Sequence, residues 1–146
     1  MNVGQDLHSN VKAMLAVAPV TLGATGNNAG RIIDRKGYSG VEFVIDYGAI
    51  TTTGTVVTVV MKEGDATGSM TSVADADMLG TEALASLLAA TPRASGSTKL
   101  VSKRVGYKGN KRYVSIDLNG TGATSAGIVS ASALLFNPET APVSNP

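Results

Sequence analysis

The side chains able to do chemistry are few and far apart. The single histidine, His8, stands in a polar amino-terminal segment remote in sequence from any Ser-Asp pair. A Ser-His-Asp triad or a His-based metal site would need it held rigidly, so it reads as part of a surface arm. Asp75 and Asp77 in Ala74-Asp75-Ala76-Asp77, and Asp65 with Thr67, offer hard oxygen ligands. Neither group shows the Asp-x-Asp-x-Asp-Gly spacing with a distal Glu, and turn and helix-start roles suit them better. With no cysteine in the chain, disulfides, thiolate metal clusters and a cysteine nucleophile are excluded. No catalytic residue, metal or cofactor is expected, and the chain reads as nonenzymatic.

Two glycine-containing motifs are equally unspecific. Gly23-Ala24-Thr25-Gly26-Asn27-Asn28-Ala29-Gly30-Arg31 lacks the Gly-Lys-Ser/Thr ending of a phosphate loop and reads as a flexible loop. Asn119-Gly120-Thr121 is formally a glycosylation acceptor, but Asn-Gly is also a strong tight-turn pair, and the turn reading is preferred.

The denser signal is basic and aromatic. Arg31, Arg35, Lys36 and Tyr38 fall in one segment, and Lys103, Arg104, Tyr107, Lys108, Lys111, Arg112 and Tyr113 in another. Such clusters suit a solvated turn, a protein interface or a ligand site, and the residues leave all three open. The interface candidates are Arg35, Lys36, Tyr38, Arg104, Tyr107, Lys108, Lys111 and Arg112.

Composition narrows the partners. In 146 residues, 12 basic side chains against 11 acidic ones leave a net charge of +1, which excludes a strongly basic nucleic-acid binder. Charged residues make up 16% of the chain, against a usual figure of about 25%. Together with 43% hydrophobic residues, this scarcity suggests that partners cover part of the outside. Runs approaching the roughly 18 apolar residues of a membrane span are absent, the longest being broken by Pro19, Lys62 or Pro92. No membrane partner is expected. The start Met1-Asn2-Val3-Gly4-Gln5-Asp6 has no basic residue, and Pro19 interrupts the apolar stretch from Ala13 to Val20, so no signal peptide is expected.

These candidates need elements to hold them, and the period is mostly two. Val41, Phe43, Ile45 and Tyr47 alternate with Glu42 and Asp46 in one strand. The β-branched run Thr55 to Lys62 forms a second, expected to pair antiparallel with the first. Leu100 to Tyr107 and Arg112 to Leu118 flank Lys108-Gly109-Asn110-Lys111 as an expected hairpin with a basic turn. A last run spans Ala126 to Phe136 before Pro138 and Pro142, with an extended tail beyond Asn137. One segment, Thr81 to Ala90, places Leu84, Leu87 and Leu88 at helical spacing behind a capping Thr81. Gly23 to Gly30 and Arg93 to Thr98 are expected to be mobile loops. The fold expected is mainly β, an antiparallel jelly-roll-like β-sandwich with one short helix. The expected divisions are an amino-terminal arm over 1–10, a sandwich over 11–137 and a tail over 138–146. Val-rich and Thr-rich strands with weakly protected edges predict a dimer or trimer.

Three stretches carry a resemblance: Lys36-Gly37-Tyr38-Ser39-Gly40-Val41-Glu42-Phe43-Val44-Ile45-Asp46-Tyr47-Gly48-Ala49-Ile50, then Val73-Ala74-Asp75-Ala76-Asp77-Met78-Leu79-Gly80, then Arg104-Val105-Gly106-Tyr107-Lys108-Gly109-Asn110-Lys111-Arg112-Tyr113-Val114. Over Val11 to Pro142 the chain resembles a family of small virion proteins of tailed bacteriophages, head-associated decoration or cement proteins with a jelly-roll-like sandwich. The resemblance implies a structural role on the outer capsid surface, with the major capsid protein as partner and synthesis in the host bacterial cytoplasm. Family members often carry an acidic Ser-Asp-Asp-like turn after the second strand, where this chain has Lys62-Glu63-Gly64-Asp65-Ala66-Thr67-Gly68. Arg112-Tyr113-Val114 is also similar to the Arg-Tyr-Val/Ile ending of carbohydrate-binding discoidin-like sandwiches. A tail or head-to-tail virion component and a carbohydrate-binding module are the alternatives; the second has only 4% aromatic residues and no Trp for a stacking platform.

Overall fold

Strict alternation of side chains sorts the strands into two layers. The computed structural model describes residues 6–21, 26–49, 56–87, 100–121 and 127–144. Its strands are β1 (Val11–Thr21), β2 (Gly26–Ala29), β3 (Ile33–Asp34), β4 (Tyr38–Tyr47), β5 (Val56–Gly64), β6 (Thr71–Ser72), β7 (Met78–Leu79), β8 (Val101–Tyr107), β9 (Tyr113–Thr121) and β10 (Ile128–Pro138). One sheet runs β1-β10-β4-β8-β7; the other runs β2-β9-β5-β6, with β3 also paired to β9. All these pairs are antiparallel.

The order has a simple origin. Strands β1, β2, β4 and β5 pair in turn with β10, β9, β8 and β6, as in one long antiparallel ribbon. Folding that ribbon over sets β10 against β4 and β9 against β5, which completes each sheet. This is jelly-roll connectivity, and the chain is a mainly β sandwich as its alternation predicts.

Cross-strand rows build the interior. In the first sheet the rows Leu135-Val41-Tyr107-Met78, Ala133-Phe43-Val105 and Val17-Ala131-Ile45 point inward. They meet Val57, Val59 and Met61 of β5 and Val114, Ile116 and Leu118 of β9, all buried. Burial of such side chains contributes about 1.5–3 kcal/mol each, which makes these rows the main source of stability.

Several local expectations are corrected. The strand Val41–Tyr47 and the described part of the run Thr55 to Lys62, Val56 onward, do not pair: they belong to opposite sheets. Nor do Leu100–Tyr107 and Arg112–Leu118 form a hairpin, because β8 pairs with β4 and β9 with β5. In each case the chain crosses between layers, since both strands bury one face in the shared core. The Asn119-Gly120-Thr121 turn is also overturned. These residues close β9, with Asn119 between Thr58 and Asn27. Gly26 to Ala29, expected within a loop, form β2; Arg93 to Thr98 lie outside the described residues.

The helix is shorter than its leucine spacing suggests. Helix α2 covers Glu82–Ala85, and the Thr81 hydroxyl accepts a 3.1 Å bond from Leu84 N. It ends where Ser86 and Leu87 turn to cover the open side of β5. Val57 and Leu87 exchange backbone bonds of 2.9 and 2.8 Å, and Val59 N donates to Ser86 Oγ at 2.9 Å. Leu87 is thereby buried, while Leu84 stays 71% exposed. Leu88 to Ala90 lie outside the described residues.

A second single turn, α1 (Leu7–Asn10), occupies the expected arm, capped by Asp6, which accepts from Ser9 N at 3.0 Å. The segment after β10 bonds back to its own chain. Glu139 N donates to Gly37 O at 2.8 Å and Val143 N to Ser9 O at 2.9 Å. Among the described residues, no helix is long and apolar enough to cross a membrane.

The packing makes a direct prediction. Phe43→Ala should cost about 3–5 kcal/mol through the cavity it opens, whereas Leu84→Ala should stay within about 0.5 kcal/mol. Urea denaturation followed by circular dichroism checks both.

Candidate functional site

At one end of the sandwich the chain must cross from β8 to β9, and the crossing leaves carbonyl groups without strand partners. Arg35, just after β3, meets them. Its guanidinium donates to Gly109 O at 2.8 Å and to Lys111 O, and on the other side to Tyr38 O at 3.1 Å and Ser39 O at 3.2 Å. Only a planar group with several fixed N–H donors can serve two segments in this way. The guanidinium also lies 5.3 Å from the centre of the Tyr107 ring, a cation–π distance. Gly37, at φ +86°, makes the turn that brings Tyr38 back into β4.

Tyr107 sits beneath this brace. Its ring is fully buried, its hydroxyl donates to a Glu63 carboxylate oxygen, and the same hydroxyl accepts from Lys111 N at 2.9 Å. Burial first, and the Glu63 bond second, push the Tyr107 phenol up to about 12. Gly109 is required here because a Cβ would overlap the Tyr107 hydroxyl.

Around this centre the charges pair. Lys111 Nζ lies 2.5 Å from Asp65 Oδ2, and that bond raises the lysine's pKa. Arg112 grips Asp34 with two bonds, Nε at 3.0 Å and a terminal nitrogen at 2.7 Å, which holds the Asp34 carboxyl below its usual range. Arg112 also stacks 4.9 Å from the Tyr113 ring centre. The turn Lys62 to Gly68, where the resembled family has an acidic turn, thus supplies Glu63 to Tyr107 and Asp65 to Lys111.

The eight interface candidates separate accordingly. Tyr107 is corrected outright: with no exposed surface it cannot touch a partner. Arg35 acts inward as the brace, and Lys111 and Arg112 are engaged by carboxylates on their own chain. Tyr38 is half-buried. Arg104 stands apart on the first sheet's outer face, 3.7 Å from Glu42. Lys36 and Lys108 are exposed at the braced end, and neither has a side-chain ion pair among the described residues. Lys103, from the same basic run, points into the sandwich, where its amine donates to Ser86 O at 2.7 Å.

Elsewhere, Lys62 meets Asp117 at 2.6 Å, with the aspartate side chain only 6% exposed. Asp75 and Asp77 form a 3₁₀ turn, and His8 is exposed on α1. Among the described residues no three His, Cys, Asp or Glu side chains gather as a metal set. The pairing of these cations with Asp34 and Asp65 is what the sequence reading missed. Asp34 and Arg112 are 78 positions apart, and Asp65 and Lys111 46, so no local spacing signals either pair.

No protein-family model matches the chain, and no curated protein matches it. Among solved structures it is similar to PBSX exported protein XepA, with a TM-score of 0.52 and 16% identity over 90% of this chain and 39% of that one. It also overlaps a structure of infectious bursal disease virus Gx strain at 0.46 and 10% identity, covering 89% of this chain and 32% of that one. A third is the CBM22-1-GH10 portion of Clostridium thermocellum xylanase 10B, crystallised with xylohexaose, at 0.42 and 12%, covering 85% and 28%. The chain spans about two-fifths of the length of XepA. At these identities the likeness is one of fold.

Two predictions follow from the brace. Arg35→Ala should destabilise the domain by about 2–4 kcal/mol by stranding several carbonyls, and Arg35→Lys should recover little, since one ammonium cannot span both segments. Thermal melts of the two variants check this. Stability should also be lost at high pH: an unfolded tyrosine ionises near 10.0 while Tyr107 holds its proton to about 12, so unfolding is favoured progressively as pH rises between the two. Burial raises Tyr47 as well and adds to the same loss. The urea midpoint measured across that range tests the sign.

Proposed function

We propose that this protein is a nonenzymatic structural component of a tailed-phage particle, which decorates the outer capsid surface and stabilises it by binding the major capsid protein shell. The observation that carries the reading is the braced end of the sandwich. There Arg35 ties the 35–39 turn and the 107–112 crossing into one rigid unit, so that Lys36 and Lys108 are presented without loop ordering to offset on binding. The jelly-roll sandwich and the sequence resemblance over Val11 to Pro142 support the same role. An array of such subunits gains avidity from many modest contacts, which suits a shell under internal pressure.

Lys36 and Lys108 would face carboxylates on the shell and act mainly on the rate and register of docking. The test is co-sedimentation of the purified protein with heads that lack it, from the phage that encodes it. Wild-type protein should bind and raise the heads' melting temperature. Lys36→Glu with Lys108→Glu should slow association several-fold at low salt, with the difference shrinking near 1 M salt, where the screening length falls to about 3 Å. No binding to heads, or binding to tails alone, would sink the capsid role.

A further inference from the structure

The two outer faces of the sandwich differ in chemistry. On the β2-β9-β5 sheet, the outward rows are Asn27-Asn119-Thr58 and Ala29-Asp117-Val60, with Lys62 and Ser115 beyond, a mostly polar surface crossed by the Lys62–Asp117 pair. The other sheet presents Phe136 beside Gly40, then Ala13-Leu134-Glu42-Gly106-Leu79, then Leu15-Ser132-Val44-Arg104, then Ser130-Asp46-Ser102. Its β1 and β10 half carries no charge among these positions. Leu15 is 42% exposed, with Leu134, Phe136 and Val44 half-buried on the strands beside it, while Leu79, also 42% exposed, lies at the far edge beyond Glu42 and Gly106. A contiguous apolar surface of this kind marks an interaction site more often than a solvated face.

In these rows the charges, Glu42, Asp46 and Arg104, fall in the β4 and β8 half, while Lys12 and Arg31 border Ala13 and Leu15 at the β1 edge. Arg104 has 80% of its side chain exposed, and its 3.7 Å approach to Glu42 is too long for a hydrogen bond. Glu42 lies across Gly106 against Leu79, and burial raises its carboxyl pKa despite the arginine nearby. One exposed guanidinium therefore stands beside a carboxylate that is desolvated and incompletely paired.

We propose that the outer face of the β1-β10-β4-β8 sheet is the contact surface for a second copy of this chain, related by a twofold axis lying across the strands between the Glu42 and Arg104 rows. That axis sets the uncharged β1 and β10 half on its own counterpart. It also carries Arg104 of each copy over Gly106 of the other, where the Glu42 carboxylate and Leu79 occupy the place of the missing side chain and the carboxylate faces the incoming guanidinium. The Glu42 and Arg104 positions are thus complementary to themselves, as an isologous interface requires, with Asp46 falling outside that pairing. A net charge of +1 per chain opposes pairing very little. The opposite faces and the braced end with Lys36 and Lys108 remain outside the contact, so this assembly goes beyond the capsid reading and does not depend on it.

Sedimentation velocity of the full chain over a micromolar concentration series is the test, and it needs no phage component. Wild-type protein should pass from monomer to dimer. Leu15→Lys and Arg104→Glu should each weaken the dimer about tenfold or more, with circular dichroism melts confirming that both variants fold. The exchanged pair Arg104→Glu with Glu42→Arg should restore most of the lost affinity. A wild-type chain that stays monomeric at the highest concentration overturns the proposal. So does a dimer that neither single substitution weakens, or a trimer, and an exchange that fails to rescue removes the twofold placement. Loss of head binding with an intact dimer would instead count against the capsid reading alone.

Discussion

Backbone carbonyls released at the crossing from β8 to β9 have to find donors without the help of a sheet, and one guanidinium supplies them. Arg35 reaches carbonyls of residues 38 and 39 on one side and 109 and 111 on the other. Without those bonds the part-buried acceptors at residues 38, 109 and 111 would be stranded at a cost of about 1–3 kcal/mol each, while Ser39 O could turn to water. The position of Tyr107 follows from the same constraint. Its ring closes the core beneath Arg35, and its hydroxyl, held by Glu63 and Lys111 N, joins the β5 turn to the crossing. Ion pairs further out, Lys111 with Asp65 and Arg112 with Asp34, are exposed and contribute little stability individually. They do keep the surrounding cations occupied.

That occupation changes what the basic run means for function. As a string of letters, residues 99–112 hold six cations and suggest a positive patch. Folded, Lys103 is drawn into the interior, Lys111 and Arg112 face their own carboxylates, and Arg104 lies on a different surface. Of the described interface candidates at this end, Lys36 and Lys108 stay exposed without a side-chain ion pair, set on a rigid base. Such an arrangement favours orientation and register over long-range attraction, as a near-neutral chain requires.

Edge protection is distributed through the fold in the same economical way. The open side of β5 is covered by Leu87, β6 and β7 contribute only two residues each, and the segment after β10 returns to bond Ser9. Pro19 sits in β1, whose pairing with β10 shifts register twice between Leu15 and Val20. These are the devices by which antiparallel sandwiches avoid uncontrolled strand addition. They leave the faces, more than the edges, as the surfaces on which association can occur.

The sequence by itself determined which residues alternate, and therefore the class of fold. Val41, Phe43, Ile45 and Tyr47, and again Val114, Ile116 and Leu118, are buried as their period of two demands. Thr81 capped a helix where its position said it would. Strand partners were a different matter. A strand with one apolar face can pair with any similar strand, so Val41–Tyr47 and Thr55–Lys62 looked like neighbours although the ribbon's fold sends them to opposite layers. The helix from Thr81 stopped at Ala85 because Val57 and Val59 offered Ser86 and Leu87 better partners than a further turn. For the candidate site the difference is sharper. Residue types announced cations and tyrosines, but whether they face a carbonyl, a carboxylate, the core or water depends largely on segments 17 to 78 positions away. Only tertiary structure decides that, because charge pairing is set by distance in space, and local sequence carries no record of it.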